Sequence, residues 1–295
     1  MDRTPPRHVL EKLRKEVNFG CPVPECGIPY LTWHHFDPPW RVRQHHEPAG
    51  MIALCATHAL LADGGRWTKE QLLQMKQTPF VKPDQISHLY DYLRRNIVCI
   101  IGNVAYRVQN ILEVNGERVI GFEKDAEGYD RLNLLIRDKQ GSPMLVMENN
   151  FWTAYSEKLY DLHASAQGKE LRIVSMDGVT DLTMRFDDHP LSEFRQRLVK
   201  GCEEVSFPES MGEPMKECLI KSITTSIDQF ICDIGMPETV PTWSIKGNLS
   251  WGERRLVIRE FEIEDERNNV FAMTFVVGAK AAFSLKASST AVGVT

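Results

Sequence analysis

The chain has 295 residues, a formal net charge of −5 and a mean hydropathy of −0.30, the profile of an ordinary soluble protein with length enough for two domains. No apolar run reaches the ~18 residues of a membrane span, and MDRTPPRHVLEKLRKE lacks the apolar core of a secretory signal. Seven unevenly spaced cysteines do not read as a secreted disulfide scaffold, so a reducing cytoplasm is the expected compartment.

Charge and histidine are unevenly spread. Residues 1–96 hold 13 Lys/Arg against 10 Asp/Glu and seven of the nine histidines, whereas the remainder holds 22 against 30. A mildly basic, histidine-rich head on an acidic body places any anion at the head. The expected domains are 1–96, 97–285 and a loose tail, 286–295.

In chain order, Val9, Leu10, Leu13 and Val17 carry helical spacing over 6–17. Residues 21–30 read as a knuckle with two cysteines, two prolines and Gly27. Tyr30–Trp33 predicts a short strand delivering His34 and His35 at its end. Three prolines in FDPPWRVRQHHEPAG make 36–50 a long loop, a class more often functional than idle. Met51–Leu54 predicts a strand, THALLAD a helix stopped by Gly64-Gly65, and Thr68 with Gln71 a capping box for the next helix. Asp84 predicts the start of a further helix ending near Asn96, with Arg94 and Arg95 as its C-terminal charges. From Ile97 short β-rich runs alternate with Gly-containing turns, interrupted by one helix at 190–200 and followed by a second strand-rich stretch. The fold class is therefore α+β, a small metal-stabilised head followed by a larger mainly-β body, either sandwich or solenoid-like.

The chemistry concentrates in Cys21–Asp63. Cys21-x4-Cys26 and Cys55-x2-His58 give two ligand pairs on separate knuckles, as a structural zinc site requires with bonds of ~2.3 Å to sulfur and ~2.0 Å to nitrogen. Cys99, Cys202, Cys218 and Cys232 are scattered among apolar neighbours and read as buried thiols. Arg41 and Arg43 stand beside Trp40, a combination suited to a phosphate backbone. Lys12, Arg14 and Lys15 suit either a phosphate-facing edge or a solvated helix face. No Walker-type loop, GxGxxG or GxSxG is present.

HHFDP and MIALCATH, with cysteine pairs around them, resemble the HNH endonuclease family, the ββα-metal nucleases, over about residues 15–77. The resemblance implies a metal-dependent DNA endonuclease acting on duplex DNA, with structural zinc and a catalytic Mg²⁺, Mn²⁺ or Ni²⁺. It puts His34 at a cation-ligand position and His35 at the general base, an imidazole being able to take a proton at neutral pH. The chain departs from the family pattern where Asn is expected at Gly50 and where His or Asn is expected at Ala59. A cation ligand would then come from His45, His46 or Asp37, and a loop brace from Glu47 or His46. Otherwise the module is a degenerate, zinc-stabilised scaffold that binds DNA or protein. The body would regulate, target, form homo-oligomers or meet an operon-encoded partner, a layout suited to restriction, anti-phage defence or a mobile element.

Overall fold

The computed structural model describes residues 2–82, 84–101, 104–107, 109–114, 116–203, 211–235, 238–251, 254–258, 263–265, 276–277 and 283–285. It is α+β with several sheets. The expected tail, 286–295, lies outside the described residues.

The first elements are α1 (Arg7–Glu16), β1 (Leu31–His35), β2 (Met51–Cys55), α2 (Ala56–Asp63) and α3 (Lys69–Gln77). Strands β1 and β2 pair antiparallel, with His34 opposite Ile52 and His35 opposite Met51. Val9, Leu13 and Val17 bury one face of α1 in a small core with Leu31, Phe36, all of β2, Ala59, Ala62 and Leu72. Ala59 is buried there, so the helix position nearest the two strands is spent on packing. Helix α3 starts with the anticipated capping box: Thr68 accepts from the Gln71 amide, and the Gln71 side chain accepts from the Thr68 amide. Lys76 of α3 is nearly buried, donating to the carbonyls of Pro48 and Met51 and pairing with Glu16.

Thirteen further strands precede or flank two more helices: β3 (Gln85–Leu89), β4 (Val98–Ile101), β5 (Val104–Arg107), β6 (Asn110–Val114), β7 (Glu117–Lys124), β8 (Asp130–Arg137), β9 (Pro143–Glu148), β10 (Phe151–Tyr155), β11 (Leu159–Ala164), β12 (Glu170–Ser175), β13 (Asp181–Pro190), then α4 (Leu191–Glu203), α5 (Glu213–Ile234), β14 (Thr239–Trp251) and β15 (Arg254–Ile258). The short strands β16 (Ile263–Asp265), β17 (Val276–Val277) and β18 (Phe283–Leu285) follow. One sheet runs β18-β6-β7-β8-β9-β10-β3; the other runs β11-β12-β13-β14-β4-β5-β17, with β15 and β16 attached beside β14. Both contribute to one large core, in which Phe122 of β7 meets Trp243 of β14 edge-on at 5.9 Å. The body is thus a two-sheet sandwich, not a solenoid. Helices α4 and α5 cover Val98, Ile100, Ala105 and Val240 on the outer face of the second sheet.

Two segments differ from the sequence expectation. Residues 84–96 hold β3, paired with β10 at the edge of the first sheet, in place of a helix. Ile86, Tyr90 and Tyr92 are all buried at even spacing, and the strand period wins because that edge offers both hydrogen-bond partners and a core. Arg94 and Arg95 are accordingly not helix-end charges: Arg94 forks onto Asp188, and Arg95 lies over the Tyr129 ring. The 22-residue α5 was not anticipated, although a Gly-x-Pro start and Gly235 at φ 60° mark its ends. Four β-branched residues in ITTSI speak for a strand, but burial of Ile227 and Phe230 against α4 settles it as a helix. Cys218 and Cys232 lie exposed on α5, unlike buried Cys99; the remaining thiol of that group, Cys202, lies outside the residues whose side chains are described.

The head is fixed to the body. Tyr30 bridges to Ala164 at the end of β11, and Arg14 of α1 reaches Asp161 of β11 as a buried pair. Lys15 lies 3.3 Å above the Tyr160 ring. Arg14 is therefore not on a free phosphate-facing edge, whereas Lys15 stays exposed above its ring. Among the described residues no helix is long and apolar enough to cross a membrane.

Candidate metal centre and adjoining cleft

Four side chains separated by up to 37 residues converge where the first knuckle meets α2. Positive φ at Glu25 and Gly27 folds the knuckle so that the Gly27 amide donates to the Cys21 carbonyl and the Cys21 amide to that of Ile28. Cys55 ends β2 and caps α2, and His58 follows in the first helical turn, facing the same side. The Cys21 Sγ to His58 Nδ1 distance is 3.2 Å, Cys55 Sγ to His58 Nδ1 is 3.3 Å, and Cys26 Sγ to Cys55 Sγ is 3.8 Å. All four ligand atoms lie within 4.8 Å of one another, and the cysteines form no disulfide. Ligands of a tetrahedral zinc, at ~2.3 Å for sulfur and ~2.0 Å for nitrogen, stand about 3.5–3.8 Å apart, so this Cys₃His group fits such an ion. Burial pushes the Cys21 thiol well above its ordinary range and raises that of Cys55 too, a cost that a bound divalent cation reverses. Trp67 packs edge-on against the His58 ring at 5.7 Å. The group can hold a metal such as zinc.

Beside it, a cleft of about 460 Å³ opens over the ends of β1 and α2, lined among others by Arg3, His34, His35, Trp40, Asp63 and Lys69. Both histidines reach it because His35 is the last residue of β1, where the strand alternation ends. His34 Nδ1 lies 2.8 Å from Asp63 Oδ1 on the last residue of α2, and Asp63 is more than half exposed. Asp63 went unremarked in the sequence; the available signal was its place one helical turn beyond Ala59, on the same face of α2.

His35 is buried and donates from Nε2 to the carbonyl of His45 at 3.0 Å, which leaves Nδ1 as its lone pair. Its proton affinity is pushed down to about 4, chiefly by burial, and further by His45, His46 and Arg3, against the hydrogen bond that raises it. It is therefore a neutral imidazole at neutral pH. The Trp40 ring lies 4.7 Å from it and stacks on His46 at 5.4 Å, forming the wall of the cleft.

Of the second histidine pair, His45 has no free nitrogen for a cation, whereas His46 keeps Nδ1 without a hydrogen-bond partner. His45 is buried, donating from Nε2 to the Pro38 carbonyl at 2.9 Å and accepting the Glu47 amide on Nδ1 at 3.2 Å. With both nitrogens committed it braces the 36–50 loop, the task expected of Glu47 or His46. His46 instead donates to the Asp2 carbonyl at 3.0 Å. Asp37 pairs with Lys69 at 2.6 Å, and Arg43 forks onto Glu47 with both contacts at 2.9 Å. Arg43 and Glu47 thus satisfy each other, whereas Arg41 lines the cleft, exposed and without a carboxylate partner among the described residues.

Gly50 stands where the resemblance drawn from the sequence expects Asn. Its carbonyl accepts from the Phe36 and Asp37 amides at 2.9 and 3.1 Å, and a Cβ there would lie 1.8 Å from the Asp37 carbonyl oxygen. No side chain fits.

A second cleft of about 580 Å³ lies on the outer face of the nine-stranded sheet, where Arg185 pairs with Asp187 at 2.8 Å and Asp188 is held by Arg94. No family model, curated protein or solved structure matches the chain.

Proposed function

We propose that the chain is a metal-dependent endonuclease of the HNH type, hydrolysing phosphodiester bonds of duplex DNA in the cleft between β1 and α2, with zinc at the Cys₃His group as its structural support. The observation that carries this reading is the His34–Asp63 contact at 2.8 Å in the same cleft as His35. Two ligands of an octahedral cation with bonds of ~2.1 Å stand about 3 Å apart, so this imidazole and carboxylate fit a Mg²⁺ or Mn²⁺ ion. A divalent cation held there supplies charge to stabilise the departing oxygen of the phosphodiester.

The chain's own residues do the rest. His35, fixed by its donation to the His45 carbonyl, presents the Nδ1 lone pair that takes the proton from the attacking water. A base held near 4 is weak, but the phosphodiester brings negative charge into the cleft and raises its proton affinity toward the neutral range. Trp40 keeps that imidazole in place and dry on one side.

The test is supercoiled plasmid incubated with Mg²⁺, Mn²⁺ or Ni²⁺ beside the His35→Ala variant. Nicking that falls roughly a hundredfold or more in the variant supports the reading. A second reading, a binding module without chemistry, is favoured by buried Ala59 at the expected third-ligand position. Absence of metal-dependent nicking by the wild type, or equal nicking by the variant, selects it.

A further inference from the structure

The residues preceding α1 belong to the cleft. Arg3 lines it together with His34, His35 and Trp40. Arg3 is not there by chance of a loose segment. On one side of it, the Asp2 carbonyl accepts from His46 Nε2 at 3.0 Å, and His46 is itself stacked on Trp40. On the other side, the Thr4 amide donates to Asp2 Oδ1 at 3.1 Å and Pro5 is buried.

Of the other cations near the cleft, Lys69 is occupied by Asp37 and Arg43 by Glu47, whereas Arg41 on the 36–50 loop also lacks a carboxylate partner among the described residues. Arg3 is exposed and has no carboxylate partner among the described residues. A guanidinium held at both flanks yet left unpaired, facing the cleft that holds His34 and His35, is arranged to receive an anion with two acceptor oxygens.

We infer that Arg3 is a phosphate-contacting residue of this cleft and that His46 is the positioning residue that straps it in place. The inference rests on the reading of the cleft as a site for a nucleic-acid phosphodiester, and it adds a contact outside the β1–β2–α2 unit. In this account His46 holds the Asp2 carbonyl, and through it the next residue, while Trp40 fixes the His46 ring. The second histidine pair thus serves the site twice, His45 through the loop and His46 through the leading segment.

The experiment is fluorescence anisotropy of a labelled DNA duplex of about twenty base pairs, with no added divalent cation, titrated between about 50 and 200 mM salt. Wild type, Arg3→Ala, Arg3→Lys, His46→Ala and the Arg3→Ala/His46→Ala pair are compared at equal zinc content. Each phosphate contact contributes about 0.9 to the slope of log affinity against log salt. Arg3→Ala is expected to lose about one unit of slope and roughly tenfold in affinity at the lowest salt, and Arg3→Lys to keep the slope. His46→Ala is expected to resemble Arg3→Ala, and the pair to be no worse than either alone, since both remove one contact. An unchanged slope in Arg3→Ala, or no binding by the wild type at about 50 mM salt, overturns the clamp. Additive losses in the pair overturn the strap. If His46→Ala does not fold, the two substitutions at exposed Arg3 decide the clamp alone. Nicking is read separately: loss of slope without cleavage keeps the clamp and removes the nuclease, whereas cleavage with an unchanged slope does the reverse.

Discussion

Arg14 and Asp161, 147 residues apart, meet as a buried fork, Nε to Oδ1 at 2.9 Å and Nη2 to Oδ2 at 2.7 Å. Asp161 is fully buried, and Arg172 stands 3.9 Å from the same carboxylate. The pair joins the helix that supports the candidate metal centre to the edge strand of the body. Removing one partner strands the other charge in the interior, which costs about 3–5 kcal/mol, whereas replacing both with apolar residues of similar volume costs little. Urea denaturation of Asp161→Ala is expected to show that loss, and Arg14→Met/Asp161→Leu to recover most of it. A single variant within about 1 kcal/mol of the wild type contradicts the buried-pair assignment.

Gly50 gives a sharper steric prediction. A methyl group there meets the Asp37 carbonyl oxygen at 1.8 Å, and the His45 ring at 3.0 Å. Both neighbours are fixed, one as backbone and the other by hydrogen bonds at each ring nitrogen. Gly50→Ala is expected to destabilise by about 3 kcal/mol or more and to disorder the loop that carries Trp40. Chemical denaturation and Trp40 fluorescence check it, and a fully stable variant with unaltered emission is the contrary result.

The Cys₃His group that can hold a metal was legible because ligand chemistry is local: paired cysteines and a Cys-x2-His at a strand–helix junction leave few alternatives. The helix-versus-strand choice at 84–96 was not, because the pattern of Ile86, Tyr90 and Tyr92 acquires its meaning from β10, a strand some sixty residues later. The roles of His45 and His46 were also hidden. A buried histidine with both nitrogens on backbone groups and a free ligand look alike in sequence, and only the positions of Pro38 and Glu47 reveal His45 as the former, just as the position of Asp2 reveals what His46 Nε2 holds. Asp63 shows the converse: a helix-terminal carboxylate reads as ordinary solubility until the fold brings it to His34.

Occupancy of the Cys₃His group is open to direct assay. Purified protein is expected to contain about one zinc per chain, and Cys21→Ser to lose most of it. Excess chelator is expected to lower the melting temperature, with recovery on adding zinc. Elemental analysis with substantially less than one equivalent, or full retention in Cys21→Ser, contradicts the assignment.

His163 predicts a pH dependence of stability. Burial first, and repulsion from Arg14 next, hold its proton affinity below the ordinary value near 6.5, with Arg172 adding to this and Glu170 and Asp161 opposing it. His189 is lowered in the same way, by burial and then Arg197. The unfolded chain therefore binds protons that the folded chain does not. Stability is full above about pH 6.5 and declines as pH falls from there through the lowered folded values. His163→Gln is expected to flatten part of that decline in urea midpoints measured between about pH 7.5 and 5.5. Running both proteins in parallel cancels protonation of the metal ligands, and identical profiles contradict the prediction.

The central claim is that His34 and Asp63 hold a divalent cation beside His35, and Mn²⁺ binding to zinc-loaded protein tests it most directly. Titration followed by electron paramagnetic resonance is expected to give one Mn²⁺ site in the wild type. Asp63→Ala and His34→Ala are each expected to weaken it roughly tenfold or more, with the zinc content unchanged. No Mn²⁺ site in the wild type, or equal affinity after Asp63→Ala, contradicts the account.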